Sequence, residues 1–177
     1  VIDATSIKDF IARVKAAPGK YNYASTGNGT GTHLAFAEFK HMAGLDMVHV
    51  PYKGGPDAIQ GVLKGDVCCI FNQVQTVLQH YKAGKVRLIG VASDRRLPAV
   101  PDVPTFVEQG FAGFTGSTWA GMLAPAATPK DIVKRMSDEV GRIIRSDDTR
   151  ARLEAMGTFG AGGTPEEFDA FIAAETS

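Results

Sequence analysis

The sequence has no net charge, few cysteines and no long apolar run. Lysine plus arginine and aspartate plus glutamate each number 19 in 177 residues, so the formal net charge is zero. Without a basic excess the protein lacks the field that holds nucleic acid, so we expect no nucleic-acid partner. The two cysteines, Cys68 and Cys69, are adjacent in sequence, which excludes a disulfide framework. No apolar run approaches the roughly 18 residues that a membrane-spanning helix needs.

Motifs that mark common catalytic and nucleotide-binding sites are missing as well. The sequence contains no GxSxG, HExxH, GxxxxGK[ST] or GxGxxG pattern. Its four histidines, His33, His41, His49 and His80, lack the spacing of metal ligands. We therefore expect no metal and no cofactor, and we expect packing or surface positions for His41, His49 and His80.

Strand-like and helix-like segments alternate over the first half of the sequence. A hydrophobic content of 44% is enough to build a core. Strands are predicted at residues 21–24, 47–51, 67–71 and 86–92, and helices at residues 32–43, 56–64 and 75–83. Gly44 is expected to end the first of these helices, and Thr5 or Ser6 to cap a short helix before the first strand. The alternation is typical of parallel βαβ units and predicts an α/β fold.

The character of the sequence changes at residues 94–111, which are rich in proline. They predict a surface crossing with a helical turn near residues 105–109, and a boundary or hinge between domains. A strand is expected at residues 114–125. Two later helices are predicted from capping patterns, which comprise Thr128, Pro129 and Asp131 in one case and Thr164, Pro165 and Glu167 in the other.

The helix predicted after Pro129 is amphipathic. Its apolar residues recur at helical spacing and are expected to be buried: Ile132, Val133, Met136, Val140, Ile143 and Ile144. Ser146 is expected to cap a further helix that ends at Gly157. The final segment, "TPEEFDAFIAAETS", reads as a capped helix, and we expect the chain to be part of a longer protein.

The segment "YASTGNGTGTHL" (residues 23–34) is rich in glycine and in hydroxyl side chains and includes one amide side chain. It has no charged side chain before its histidine. Such a segment, between a strand and a helix N-terminus, predicts an anion site made of N–H and O–H donors. The alternative is a glycine-rich corner with no ligand. The candidate ligand-binding residues are Ser25, Thr26, Gly27, Asn28, Gly29 and Thr30.

Two further loops follow predicted strands and are expected at the same edge of the sheet. In "VPYKGGPDA", Tyr52 offers an aromatic wall and Lys53 a positive charge, although for Lys53 alone an exposed turn with a solvated lysine is the favoured interpretation. In "FNQVQT", Asn72 and Gln73 are neutral amides that bind carboxylate or hydroxyl groups. A capping role is the alternative for Asn72.

His33 and Trp119 are the remaining candidates. His33 lies at a predicted helix N-terminus, which disfavours an imidazolium, and no nucleophile motif or acidic partner is near it in sequence. We interpret it as a neutral hydrogen-bonding group and not as a catalytic base. Trp119 is the only tryptophan and has small neighbours in "GSTWAG", which fits either a core or a ligand-facing position.

Several motifs, in order, resemble the Bug family of tripartite tricarboxylate transporter receptors. They include "PGKYNYASTGNGTGTHLAFAEF", "HVPYKGG", "LKGDV", "KAGKVRLIGVAS", "RRLPAVPDVPTFVEQGF", "STWAGMLAPAATP" and "TPEEFDAFI". The resemblance implies a two-lobed periplasmic protein of the type II periplasmic binding protein fold, which holds a carboxylate between its lobes for membrane transporter subunits. It assigns residues 25–30 to the carboxylate loop, Tyr52 and Lys53 to the PYKG turn, and Trp119 to the return segment.

The resemblance also implies a division of the chain. Residues 19–99 correspond to one complete lobe, and residues 1–18 and 100–177 to part of the other. The family usually has an aspartate where this chain has Asn72, and the family's first segment has no counterpart here. If the protein is as short as this chain, we expect apolar surface to be exposed on the later strand and helices, with oligomerisation or strand exchange as a consequence.

The leading hypothesis is a binding module without catalytic activity. Two alternatives remain open at the level of sequence. One is an enzyme that uses the glycine-rich segment as an oxyanion or phosphate site, with His33 as base. The other is the effector-binding domain of a cytoplasmic regulator, which would normally also carry a DNA-binding module.

Overall fold

A computed structural model describes residues 2–116 and 119–175. Three strands and seven helices are assigned in this part of the chain, in the order α1 (Ile7–Lys15), β1 (Asn22–Ser25), α2 (Gly31–Ala43), β2 (Val48–Pro51), α3 (Gly55–Lys64), β3 (Cys69–Ile70), α4 (Val74–Lys82), α5 (Lys130–Arg145), α6 (Asp147–Ala155) and α7 (Pro165–Glu175). None of these helices is both long and apolar enough to cross a bilayer.

The three strands form one parallel sheet in the order β2-β1-β3. Ser25 at the end of β1 is in register with Pro51 at the end of β2, and Ala24 is in register with Ile70. The predicted parallel α/β arrangement of residues 21–83 is therefore confirmed. All three strands end at the same edge, and the loops that follow them lead into α2, α3 and α4.

The chain divides into two compact units, Val1–Thr118 and Trp119–Ser177. This division differs from the predicted one, because α1 and residues 100–114 supply core residues of the first unit. Phe10 of α1, Phe39 of α2, and Phe106 and Phe114 lie in one buried cluster. The assignment of segments to the lobes of a complete receptor stays a prediction.

The N-terminus of α1 is capped as its sequence predicts. Ser6 Oγ accepts a hydrogen bond from the Asp9 N–H at 3.1 Å, and Ile7, Phe10 and Val14 of the helix are buried. We expect Ser6→Ala to lower the free energy of unfolding by about 1 kcal/mol, because one N–H of the first turn loses its acceptor. Urea denaturation measures the change. Ser6→Asp keeps an acceptor and serves as the control, and equal losses in both variants would contradict the capping role.

The predicted strand at residues 86–92 is wrong. The structure has a single parallel bridge there, between Val91 and Thr105. The Val91 N–H donates to the Pro104 carbonyl and the Phe106 N–H donates to the Val91 carbonyl. The partner segment contains Pro101 and Pro104, and since proline has no N–H, the bridge does not extend into a ladder.

The predicted strand at residues 114–125 is also wrong in its described part. Residues 114–116 and 119–125 are irregular, and residues 117 and 118 lie outside the described residues. Sheet structure requires a neighbouring strand, and the described sheet contains only β1, β2 and β3.

The second unit contains α5, α6 and α7. The capping pattern at Thr164 is confirmed, since Thr164 Oγ1 accepts from the Glu167 N–H and Glu167 Oε2 accepts from the Thr164 N–H. The pattern at Thr128 does not form. Pro129 is the N-cap residue of α5, with no side-chain hydrogen bond, instead of its first helical residue.

The predicted burial of the apolar stripe of α5 is wrong. Ile132, Met136 and Ile143 are each about half exposed. Gly141 is the buried residue of this helix. The expectation that the later helices expose apolar surface is thereby confirmed.

Candidate functional site

The carboxyl edge of the sheet brings three helix N-termini together. The N-caps of α2, α3 and α4 are Thr30, Gly54 and Gln73, and none of them caps its helix with a side chain. The first N–H groups of these helices therefore have no side-chain acceptor from the cap. Together with the positive end of each helix dipole, they make this edge favourable for an anion.

We call residues 25–30 the glycine loop. Ser25, at its start, is fully buried; its carbonyl accepts from the Tyr52 N–H at 2.9 Å, and its Oγ accepts from the Gly27 N–H at 3.2 Å. The backbone φ angles of Gly27 and Gly29 are 135° and 74°. Since residues with a Cβ rarely adopt such angles, glycine is required for this shape.

A triangle of hydroxyl groups supports the loop from the first turn of α2. Thr26 Oγ1, Thr30 Oγ1 and Thr32 Oγ1 lie 2.9 to 3.2 Å from one another. Thr32 Oγ1 also accepts from the Thr26 N–H at 2.9 Å. Thr32 was absent from the predicted site residues, although its hydroxyl position at the start of the helix is a signal for such a role. Hydroxyls that donate to one another can also reorient toward a bound acceptor.

A stack of four rings lies beside the glycine loop. The order is Phe36, Tyr23, His49 and His33, with centroid distances of 3.9, 5.0 and 4.1 Å. His33 Nδ1 accepts from the Gly29 N–H at 3.1 Å, a bond that a neutral imidazole makes. His49 Nε2 lies 2.7 Å from Ser25 Oγ.

Burial is the largest cause that lowers the pKa of His49, and the neighbouring His33 and Lys40 lower it further. Sequence reasoning assigned His49 a packing or surface position and missed its contact with the loop. The register that sets His49 opposite Tyr23 is the signal that reveals it.

Tyr52 and Lys53 follow β2. The backbone N–H of Tyr52 holds Ser25, but its ring packs on α3, where a Cβ at Gly61 would overlap the Tyr52 hydroxyl. Lys53 is exposed. Both residues line a groove of about 440 Å³ that also contains Asp57, Gln60, Lys64 and Asp66. The charges in this groove are balanced, so it has no clear preference for an anion.

Asn72 and Gln73 follow β3. Asn72 Oδ1 accepts from the Gln73 N–H at 2.9 Å, and Asn72 packs against Gly55 at the start of α3. Asn72 Nδ2 is buried and has no acceptor among the described residues. An unpaired buried donor is costly, so this amide offers a hydrogen bond to an acceptor that enters the site. Gln73 is exposed, and its Oε1 accepts from Gln75 Nε2 at 3.0 Å.

Trp119 belongs to the second unit. Its indole N–H donates to Glu175 Oε2 at 3.1 Å, and its ring makes edge contacts with Phe168 and Phe171. The structure thus brings together the predicted site residues that follow β1, β2 and β3, whereas Trp119 contacts α7.

Comparisons with known proteins agree with this architecture. A curated relative from Pseudomonas sp. (strain P51), the UPF0065 protein in the tcbD-tcbE intergenic region, is 37% identical over 181 residues, which cover 99% of this chain and 54% of the relative. The chain therefore spans about half the length of this relative.

Solved structures resemble the chain over 98% of its length. R. palustris Rpa4515 with adipate superposes with a TM-score of 0.94 at 27% identity, over 58% of that chain. The periplasmic binding protein BugD superposes with a TM-score of 0.88 at 28% identity, over 59% of that chain. MatC (Rpa3494) from Rhodopseudomonas palustris with bound malate superposes with a TM-score of 0.81 at 28% identity, over 58% of that chain.

These neighbours confirm the predicted periplasmic-binding-protein fold and the resemblance to Bug proteins. The model of the family described as "TctC: Tripartite tricarboxylate transporter family receptor" matches residues 2–176. The chain belongs to the tripartite tricarboxylate transporter receptor family.

Proposed function

We propose that this chain is part of an extracytoplasmic solute-binding receptor that captures a small carboxylate at the carboxyl edge of its sheet. The convergence of three helix N-termini at the carboxyl edge of the sheet carries this proposal. Uncharged N–H and O–H donors hold a carboxylate through charge-assisted hydrogen bonds. The binding residues we propose are those of the glycine loop with His33, Tyr52, Lys53, Asn72 and Gln73. A ligand-facing role for Trp119 stays a prediction.

The ligand class is a dicarboxylate. Two similar structures contain adipate and malate, and both are dicarboxylic acids. Within this chain, the glycine loop supplies donors after β1, and the unpaired Asn72 Nδ2 supplies another after the neighbouring β3. Donors at two neighbouring strand ends suit a ligand that carries acceptors at both of its ends.

The partners are the membrane subunits of a tripartite tricarboxylate-type transporter, and the compartment is the periplasm. The description of the family and the periplasmic neighbour BugD support both assignments. A catalytic role for His33 has little support, because the hydrogen bonds of His33 and His49 run to Gly29 and Ser25 and not to a carboxylate. A general base is normally oriented by such a group.

Thermal unfolding in the presence of dicarboxylates tests the proposal. A ligand that binds only the folded state at about 100 times its Kd adds about 2.7 kcal/mol to the free energy of unfolding. We therefore expect adipate or malate to raise the Tm. A linear diol of the same length as adipate lacks the carboxylates and is expected to have no effect. Equal shifts with the diol and the diacid, or no shift with any acid, would contradict carboxylate capture by this chain.

A further inference from the structure

Two histidines contact donors of the glycine loop. The Gly29 N–H donates to Nδ1 of His33, and Ser25 Oγ lies 2.7 Å from Nε2 of His49. The two rings are stacked with centroids 4.1 Å apart and 14° between their planes. We call His33 and His49 the histidine pair. It contacts the loop both at the buried Ser25 and at the exposed Gly29.

The hydrogen bond from the Gly29 N–H defines whether Nδ1 of His33 carries a proton. An imidazole nitrogen accepts a hydrogen bond only when it carries no proton, so Nδ1 of His33 is unprotonated in this arrangement. A proton at Nδ1 would break the bond and release the Gly29 N–H. That donor would become available to an anion, and the imidazolium would place a positive charge beside it.

Ser25 connects His49 to the turn at Gly27. Its single hydroxyl proton can be donated to His49 Nε2 or to the Gly27 carbonyl, which is 3.1 Å away. When Nε2 of His49 carries a proton, His49 donates to Ser25 Oγ, and Ser25 must then donate to Gly27. A proton on His33 therefore frees a donor at the tip of the loop, whereas an imidazolium at His49 fixes the base of the loop.

Among the described residues, no negatively charged group contributes to the pKa shift of His49. Burial, His33 and Lys40 all lower the pKa of His49, in that order. From β1, Tyr23 stacks on His49, and burial followed by Cys69 raises the pKa of Tyr23, so its phenol stays neutral. From α2, Lys40 donates to the Met47 carbonyl at 3.3 Å. These titratable neighbours of His49 are thus neutral or positive.

We propose that carboxylate binding at the glycine loop is coupled to the uptake of one proton by the histidine pair, an inference that rests on the proposed function. The bound carboxylate supplies the negative charge that stabilises an imidazolium. By thermodynamic reciprocity, protonation of the pair strengthens carboxylate binding. The proton comes from solvent and resides on one ring, because two stacked imidazolium ions repel each other.

The sign of the pH dependence follows from this coupling. The protonated pair holds the carboxylate more tightly, so affinity rises as the pH falls through the histidine range, from about pH 8 to about pH 5. His33 and His49 act as positioning residues in this scheme: they control which loop donors are free. A receptor in an acidified periplasm would therefore load more readily.

Calorimetric titration of the full chain with adipate tests the coupling. Measurements at about pH 8 and about pH 6, each in two buffers of different ionisation enthalpy, give the Kd and the number of protons taken up. We expect the Kd to fall by up to about tenfold per pH unit, with a positive proton uptake. H33Q and H49Q place a side chain that does not titrate at each position, and each is expected to reduce the uptake and flatten the pH dependence.

His41→Gln is the matched control. His41 is exposed near the end of α2 and is expected to affect neither the Kd nor the proton uptake. Binding of adipate with the same Kd at both pH values and no proton uptake would overturn this inference alone. An absence of adipate binding at both pH values would overturn the proposed function and this inference with it. If H49Q does not fold, H33Q alone decides, since its side chain is half-buried in the first turn of α2.

Discussion

Gly27→Ala is expected to weaken the binding of adipate by about tenfold to a hundredfold. Gly27 has a φ of 135°, a conformation that residues with a Cβ rarely adopt, and its N–H bonds to the buried Ser25. A strained backbone of this kind costs about 1–3 kcal/mol. The loop of the variant relaxes to another shape, and the apparent affinity falls with the population of the competent one. Calorimetric titration measures the Kd.

Gly84→Ala is the matched control for Gly27→Ala. Gly84 follows α4, has a φ of 67°, and has open space where a Cβ would be placed. This substitution also places a Cβ at a positive φ, but the residue lies outside the glycine loop. We expect this variant to lose stability and to keep its affinity for adipate. An unchanged Kd in Gly27→Ala would show that the loop shape is irrelevant to binding.

Phe39→Ala is expected to lower the free energy of unfolding by about 3–5 kcal/mol. The ring of Phe39 is fully buried and contacts six other aromatic rings, which belong to Phe10, Phe36, Phe71, Phe106, Phe111 and Phe114. These rings come from α1, α2 and the segments after β3 and before residue 116. Removal of Phe39 leaves a cavity that several elements line, so the structure cannot collapse easily to fill it. The expected loss is a large fraction of the about 5–15 kcal/mol that stabilises a typical domain.

Urea denaturation of Phe39→Ala should be compared with that of Leu34→Ala. Leu34 lies on the same helix but is 58% exposed, so its truncation is expected to change stability by less than about 0.5 kcal/mol. Phe39→Leu keeps much of the volume and should cost less than Phe39→Ala. Equal effects of Phe39→Ala and Leu34→Ala would refute the placement of Phe39 at the centre of the core.

The sequence predicted the parts of the fold that depend on local pattern. The alternation of strands and helices over residues 21–83 was correct because hydrophobic periodicity and glycine C-caps act over a few residues. Gly44 ends α2 with a φ of 60°, as its position predicts. The capping patterns at Ser6 and Thr164 were also correct, since each involves residues three positions apart.

The errors occurred where structure depends on distant partners. Residues 86–92 have the composition of a strand, but their neighbour in space is a proline-containing segment that cannot form a ladder. The apolar stripe of α5 has the pattern of a buried face. Periodicity identifies which side of a helix is apolar, but it does not identify what covers that side. Ile132, Met136 and Ile143 are therefore half exposed, and oligomerisation through this surface stays a prediction.

For the candidate site, the sequence alone determined that three donor-rich loops follow parallel strands and precede helices, because strand direction and loop order are encoded locally. Tertiary structure decided which side chains meet there. The register of β1 with β2 sets His49 beside Ser25, the packing of Gly61 draws the Tyr52 ring toward α3, and Asn72 is left with an unpaired Nδ2 beside Gly55. Each of these contacts joins residues of different segments of the fold, and only strand register and helix packing bring them within reach of one another.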